Sequence, residues 1–388
     1  MASIPPQRRG ARYVIDIDEL DRIPASEREA LRRVASRHAF RATEYYLDLI
    51  DWNDPDDPIR RIIIPRPDEL SDWGRMDASN EAAVTVLPGV QHKYPHTALL
   101  LCNRVCGGHC RYCFRKRIFI QDADEIAFDV TEGINYIASH PEITNVLLTG
   151  GDPLMLPTAR LVDIWERLSR IPHVGIIRVG TRMPVFQPWR ILDDDELLAA
   201  ISRISTPQRR LFFITHFDHP RELTGPATAA VDALLRAGAV CANQNPLVRG
   251  VNDDPVVLAE LFRRLSFAGC APYYVFQMRP TTGNKPYAVP IVRAFHIFEA
   301  AKRHVSGLAK RARFTMSHAT GKVEVLIVDR DFIYLRYHRA RDPLLDGRVL
   351  LFHRDDSAFW LDDLTPVAGR GYPAIPAEQP DLLEAGPE

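Results

Sequence analysis

The sequence predicts an α/β protein: a partial (β/α)6 barrel with a helical extension before it and a small β-hairpin segment after it. Three observations carry that reading. From residue 97 onward, six short apolar runs of strand length alternate with amphipathic stretches of helix length. The runs are apolar almost throughout, as expected of parallel strands covered by helices. After residue 311 the rhythm changes, and KVEVLIVDRDFIYLRYHR reads as a hairpin about DRD.

Taken in order, residues 1–13 are rich in Pro and Arg, lack periodicity and read as a disordered tail. Residues 14–90 read as helical, because SEREALRRVASRHAF and RATEYYLDLIDW space Leu, Val, Phe and Tyr at helical intervals, with Ser26 and Glu29 as a capping box. The barrel is expected over 91–310. Its strands are TALLLC (97–102), NVLLTG (145–150), VGIIRVG (174–180), RLFFITH (210–216), AVCANQ (239–244) and PYYVFQ (272–277). Between them GINYIASH, RLVDIWERLSRI, DDELLAAISRI, ATAAVDALLRAG and PVVLAELFRRLSFAG carry apolar residues three and four apart. Residues 311–372 form the hairpin segment, and 373–388 read as a second disordered tail. Such a barrel places its chemistry at the C-terminal ends of its strands.

Composition narrows the partners. The net charge is -1, and the 49 Lys and Arg are spread along the chain, so the basic footprint of a nucleic-acid binder is missing. No apolar run reaches the ~18 residues of a membrane span, and the N-terminus lacks a secretory core, so a cytoplasmic protein without membrane partners is expected. Three of the six cysteines fall within eight residues, which suits a metal site better than a disulfide framework.

Those three, Cys106, Cys110 and Cys113, form C-x3-C-x2-C directly after the first barrel strand. Iron-sulfur cubanes normally take four thiolates, so three would leave one iron open to another ligand. Structural zinc with His109 as a fourth ligand, or buried thiols without any metal, are the alternatives.

C-x3-C-x2-C after the first strand of a partial barrel is the signature of radical S-adenosylmethionine (SAM) enzymes, and it resembles that superfamily's [4Fe-4S] loop, whose open iron binds SAM. Further segments, YYLDLIDWNDPDDPIRR, GVQHKYPHTALLL, VLLTGGDPL, RVGTRMPV, THFDHP, NQNPLVRGVND and APYYVFQ, resemble lysine 2,3-aminomutase and its relatives in the same order, from about residue 40 to about 325. The resemblance implies a radical SAM partial barrel and an isomerase that exchanges an amino group and a hydrogen between C2 and C3 of an amino acid, with pyridoxal 5'-phosphate (PLP) on a lysine. It implies Lys322 as that lysine, Lys93 at the PLP phosphate, and Arg115 on the substrate α-carboxylate. Gly150, Gly151 and Asp152 correspond to the strand end that meets the methionyl part of SAM. Arg182, His216 and Gln244 match positions facing its adenosine and methionine portions. It further implies an electron donor such as flavodoxin or ferredoxin, and a homodimer or higher assembly.

The chain departs from the lysine pattern where it matters for substrate. Lysine-specific members hold the ε-ammonium with two acidic residues, and here Arg279 and Ser317 stand in their places. A substrate cation facing Arg279 would be repelled unless Arg279 turned away onto a carboxylate such as Asp218, so an acidic or polar substrate such as glutamate or aspartate is expected. Lysine itself, or an elimination or epimerisation run on the same machinery, are the alternatives. The run Ser-His-Ala-Thr-Gly replaces consecutive glycines before Lys322, and no cysteine follows Cys270, so no C-terminal zinc site is expected.

Overall fold

A computed structural model describes residues 11–120 and 125–372; the second tail and most of the first lie outside them. Two short strands, β1 (Tyr13–Val14) and β2 (Ala42–Thr43), pair with each other. The other twelve form one sheet: β3 (Thr85–Leu87), β4 (Val90–Tyr94), β5 (Thr97–Asn103), β6 (Asn145–Gly150), β7 (Ile176–Thr181), β8 (Arg210–Thr215), β9 (Val240–Pro246), β10 (Ala271–Phe276), β11 (Arg313–His318), β12 (Gly321–Val328), β13 (Phe332–Ala340) and β14 (Val349–His353). Strands β5 to β11 run parallel. Strands β3 and β4 extend one side antiparallel, and β12 to β14 the other.

The six predicted strands are β5 to β10, each within two residues of its expected limits. Each is followed by a helix that buries one face: Thr158–Ser169, for example, turns Leu161, Ile164, Trp165 and Leu168 inward. Burying each such side chain contributes about 1.5–3 kcal/mol. The barrel nevertheless has a seventh parallel strand, β11, reached through the helix Ile291–Arg303. The hairpin about Asp329–Asp331 forms as expected, but as part of the main sheet, with β14 beyond it.

The N-terminal region is less helical than its periodicity suggests. Ala25–Arg37 is a helix, but Pro24 occupies its N-cap, so Ser26 falls inside the first turn and the expected capping box with Glu29 does not form. RATEYYLDLIDW yields only the short helix Glu44–Leu47, because the Asp- and Pro-rich stretch after it turns and restarts at Asp57, which caps Pro58–Ile63 through two backbone amides.

The sheet curls until its two ends meet. Lys93 on β4 donates to the His318 carbonyl on β11, and Arg339 on β13 donates to Thr97 Oγ1 on β5 at 2.9 Å. The C-terminal strands thereby close the open side of the partial barrel and enclose a lumen.

Candidate active site

Beyond β5 the chain enters the cysteine loop, which is pinned from below. The Asn103 side chain donates to the carbonyls of Val105 and Asp152 at 2.9 and 2.8 Å, and Asp152 N donates to Val105 O at 2.9 Å. That close approach explains two glycines. Gly150 has φ +105°, and a Cβ there would sit 2.5 Å from Asn103 O; one on Gly151 would meet the Val105 backbone at 2.6 Å. Gly107 and Gly108 likewise make room for Met183 and Phe186. Burial raises the pKa of all three loop thiols, that of Cys110 to about 12.

Among the described residues no three His, Cys, Asp or Glu side chains are already gathered as a metal site. His109 stacks on Phe119 at 4.1 Å and places Nδ1 3.2 Å from the Ala39 carbonyl.

Over this loop lies a dense ionic network, in which Arg182 Nε is buried without a partner. Arg182, one residue past β7, ion-pairs with Asp218 and Glu222, both at 2.6 Å, and its Nη1 donates to Tyr112 Oη and to Cys110 Sγ, both at 3.1 Å. Asp218 also accepts from Tyr112 and lies 3.1 Å from His216 Nε2. Glu222 accepts from Tyr46 at 2.5 Å and from the Asp218 and His219 amides. Burial alone would raise the Asp218 pKa, but His216 and Arg182 carry it well below the usual range.

The lumen is different in kind. The registers place Ser317 opposite Lys322, and Lys322 opposite Arg339. Lys322 Nζ sits 3.9 Å from the Tyr274 ring centroid and 5.2 Å from that of Phe276. Burial, then the fields of Arg178, Arg279, Arg339 and Lys93, hold its amine well below the usual lysine range. Lys93 is brought down to about 7, chiefly by burial and then by Arg279. Arg279 stacks on Phe114 at 3.7 Å, its Nη1 is buried without a hydrogen-bond partner, and burial lowers its pKa to about 10. Glu81, the acid beside this group, is committed elsewhere: it takes Arg115 in a two-point pair at 2.8 and 3.0 Å and Arg117 at 2.7 Å. Burial opposes its charge, yet Arg115, Arg279 and Arg117 bring its pKa down to about 2.

No protein-family model matches the sequence. Known proteins do. A putative L-lysine 2,3-aminomutase of Aquifex aeolicus is 49% identical over 355 residues, covering 91% of this chain and 95% of that one. The L-lysine 2,3-aminomutase of Clostridium subterminale is 36% identical over 72% of this chain and 67% of its own length. The glutamate 2,3-aminomutase of Clostridioides difficile is 32% identical over 76% and 70%.

The chain belongs to the lysine 2,3-aminomutase family of radical SAM enzymes. It is an isomerase, and the family's cofactors are a [4Fe-4S] cluster, SAM and PLP. The residues present fit that set. Three half-buried thiols share one loop, and a buried guanidinium nitrogen and an amine without a carboxylate partner face the lumen.

Within this family frame the predicted residues separate into two groups. Cys106, Cys110, Cys113, Arg182 and His216 gather at the parallel strands' C-terminal ends with Gly150, Gly151 and Asp152, while Lys93, Arg279, Ser317 and Lys322 lie in the lumen; Gln244 shares a face with Tyr274 across the β9–β10 register. The structure adds partners to three of these residues. The Asp152 carboxylate is taken by Thr181 Oγ1 and the Leu154 and Arg182 amides, so it anchors the strand end. Arg279 does not reach Asp218, which is held by Arg182, Tyr112 and His216. Arg115 is bound to Glu81, so a substrate carboxylate would meet a guanidinium already fixed in orientation. Sequence reasoning missed Glu81, Arg178 and Arg339. Arg178 had a signal, a lone charge inside the apolar run VGIIRVG; its Nε donates to Asn145 at 2.8 Å.

Proposed function

We propose that the chain is a PLP-dependent 2,3-aminomutase for an amino acid with an anionic or polar side chain, glutamate or aspartate foremost. The observation that carries this reading is the buried, partnerless Nη1 of Arg279 in a lumen whose nearby carboxylate, Glu81, is already committed to two other arginines. A substrate carboxylate would satisfy that donor, whereas an ammonium there would add another positive charge to Lys93, Arg178, Arg339 and Lys322.

The remaining roles follow from position. Arg115, oriented by Glu81 and by Thr149 at 3.0 Å, binds the α-carboxylate. Arg279 and Ser317 receive the side chain. Thr315, on the same face as Ser317 and with its hydroxyl buried and unpartnered, is a further polar contact that sequence reasoning passed over. Lys322 holds PLP, because an amine kept neutral by its surroundings is the nucleophilic form, and Lys93 serves the phosphate. His216 and Gln244 face SAM. When bound, the cluster supplies an electron to SAM, and PLP supplies a ring that delocalises an unpaired electron. The strands β11 to β13, folded across the open side, exclude water from this lumen. A flavodoxin or ferredoxin as electron donor and a homodimeric or larger assembly complete the proposal.

The names of several relatives favour lysine as the substrate instead. Anaerobic reconstitution followed by a panel of amino acids, with NMR detection of β-amino products, decides between the two: glutamate or aspartate is expected to turn over fastest, and lysine turnover above every acidic candidate would overturn the reading.

A further inference from the structure

Arg182 matches a position expected to face SAM, and in the structure both of its Nη nitrogens have protein partners while its Nε is buried without one. Nη1 points at a loop thiol, Cys110 Sγ, at 3.1 Å, and the same nitrogen donates to Tyr112, a residue of the cysteine loop itself, and lies 2.6 Å from Asp218, while Nη2 meets Glu222 at 2.6 Å. Its backbone is fixed as well, with the amide donating to Asp152 at 2.7 Å, and the side chain packs over Phe186. Six partners around one residue that is 5% exposed leave it little freedom to swing toward a cosubstrate.

We infer that Arg182 is a positioning residue for the iron-sulfur cluster: its hydrogen bond to the Cys110 sulfur sets the cluster's reduction potential, and Asp218 sets the strength of that bond. The inference rests on the three-thiolate cluster assigned above. Reduction adds one electron, and one negative charge, to the cluster and its thiolates. A charged donor at a ligating sulfur stabilises that added charge and raises the potential. Asp218 and Glu222 oppose it, because each draws positive charge back from the guanidinium. The site therefore makes predictions of opposite sign at two adjacent residues, which general loosening of the loop cannot imitate. His216, bonded to the second oxygen of Asp218, places the far end of this chain of contacts at the strand end proposed to face SAM.

The test is an anaerobic titration of the reconstituted full-length chain with dithionite, followed by the electron paramagnetic resonance signal of the reduced cluster, with iron and sulfide content measured for each variant. At one fixed applied potential the ratio of reduced to oxidised cluster should fall about tenfold in Arg182→Gln, the effect of one charge-assisted hydrogen bond, and fall less in Arg182→Lys. In Asp218→Asn it should rise. If Arg182→Gln does not fold, Arg182→Lys and Asp218→Asn carry the test between them. Variants with full iron content that titrate together with the parent protein would overturn the inference, as would shifts of the same sign at both residues or folded variants that fail to load iron. If the parent protein itself loads no iron, the cluster assignment fails instead, and the two failures are told apart by the iron analysis.

Discussion

The two ends of the site manage charge in opposite ways. Around the cysteine loop the buried arginines meet acids: Arg182 against Asp218 and Glu222, Arg111 against Glu69 at 2.7 Å, Arg117 against Glu81 and Glu125, while Lys116 donates to the Arg111 carbonyl. In the lumen Lys93, Arg178, Arg279, Lys322 and Arg339 lie within one another's fields, and the acids near them, Glu81 and Glu324, are already paired. Buried cations without a countercharge are costly, and on the proposed reading these five receive something anionic. On the proposed reading the first end holds the metal cluster, and the second binds a phosphate and carboxylates.

Substitutions that break this contrast should rank by how much of the site they remove. Cys110→Ser takes away a cluster ligand, and reconstituted protein is expected to lose its broad visible iron-sulfur absorption and all SAM cleavage. Lys322→Ala should abolish turnover and PLP absorbance while leaving the cluster spectrum intact, which separates the two ends spectroscopically. Arg279→Asp should invert selectivity: removing the cation and supplying an acid is worth several kcal/mol, so the ratio of lysine to glutamate turnover should rise about 100-fold or more. The smallest expected effect is on stability. Glu81→Gln leaves Arg115 and Arg117 without their shared partner and should cost about 3–5 kcal/mol in chemical denaturation. Because the folded pKa of Glu81, about 2, lies below its unfolded value near 4.5, its contribution is fully present above about 4.5 and is lost as pH falls from there toward 2. The variant should therefore show a flatter stability profile over that acid range.

How much of this was legible in the sequence follows from what each part depends on. The six strands β5 to β10 were readable because nearly continuous apolar runs report burial on both faces, and the three cysteines because spacing and context are local. Strands β4 and β11 were missed although their lumen faces carry Lys93, Thr315 and Ser317; RFTMSH alternates polar and apolar residues, the pattern of a half-buried strand, but is too short to stand out beside the near-continuous apolar runs. Arg339 reads as an exposed hairpin residue until the sheet curls and brings it to Thr97, 242 residues away. Glu81 had no motif at all; its role exists only because a short 3-10 turn places it against Arg115, 34 residues later. The capping box failed on a smaller scale, since Pro24 starts the helix early enough to put Ser26 inside it.

The claim on which the account turns is that the lumen is built to receive a negative side chain. Titrating the PLP-loaded enzyme with glutamate, aspartate and lysine while recording the cofactor's absorbance measures this without requiring turnover. The acidic amino acids should shift the spectrum at concentrations at least about tenfold below those needed for lysine; a spectrum that responds to lysine first would contradict it.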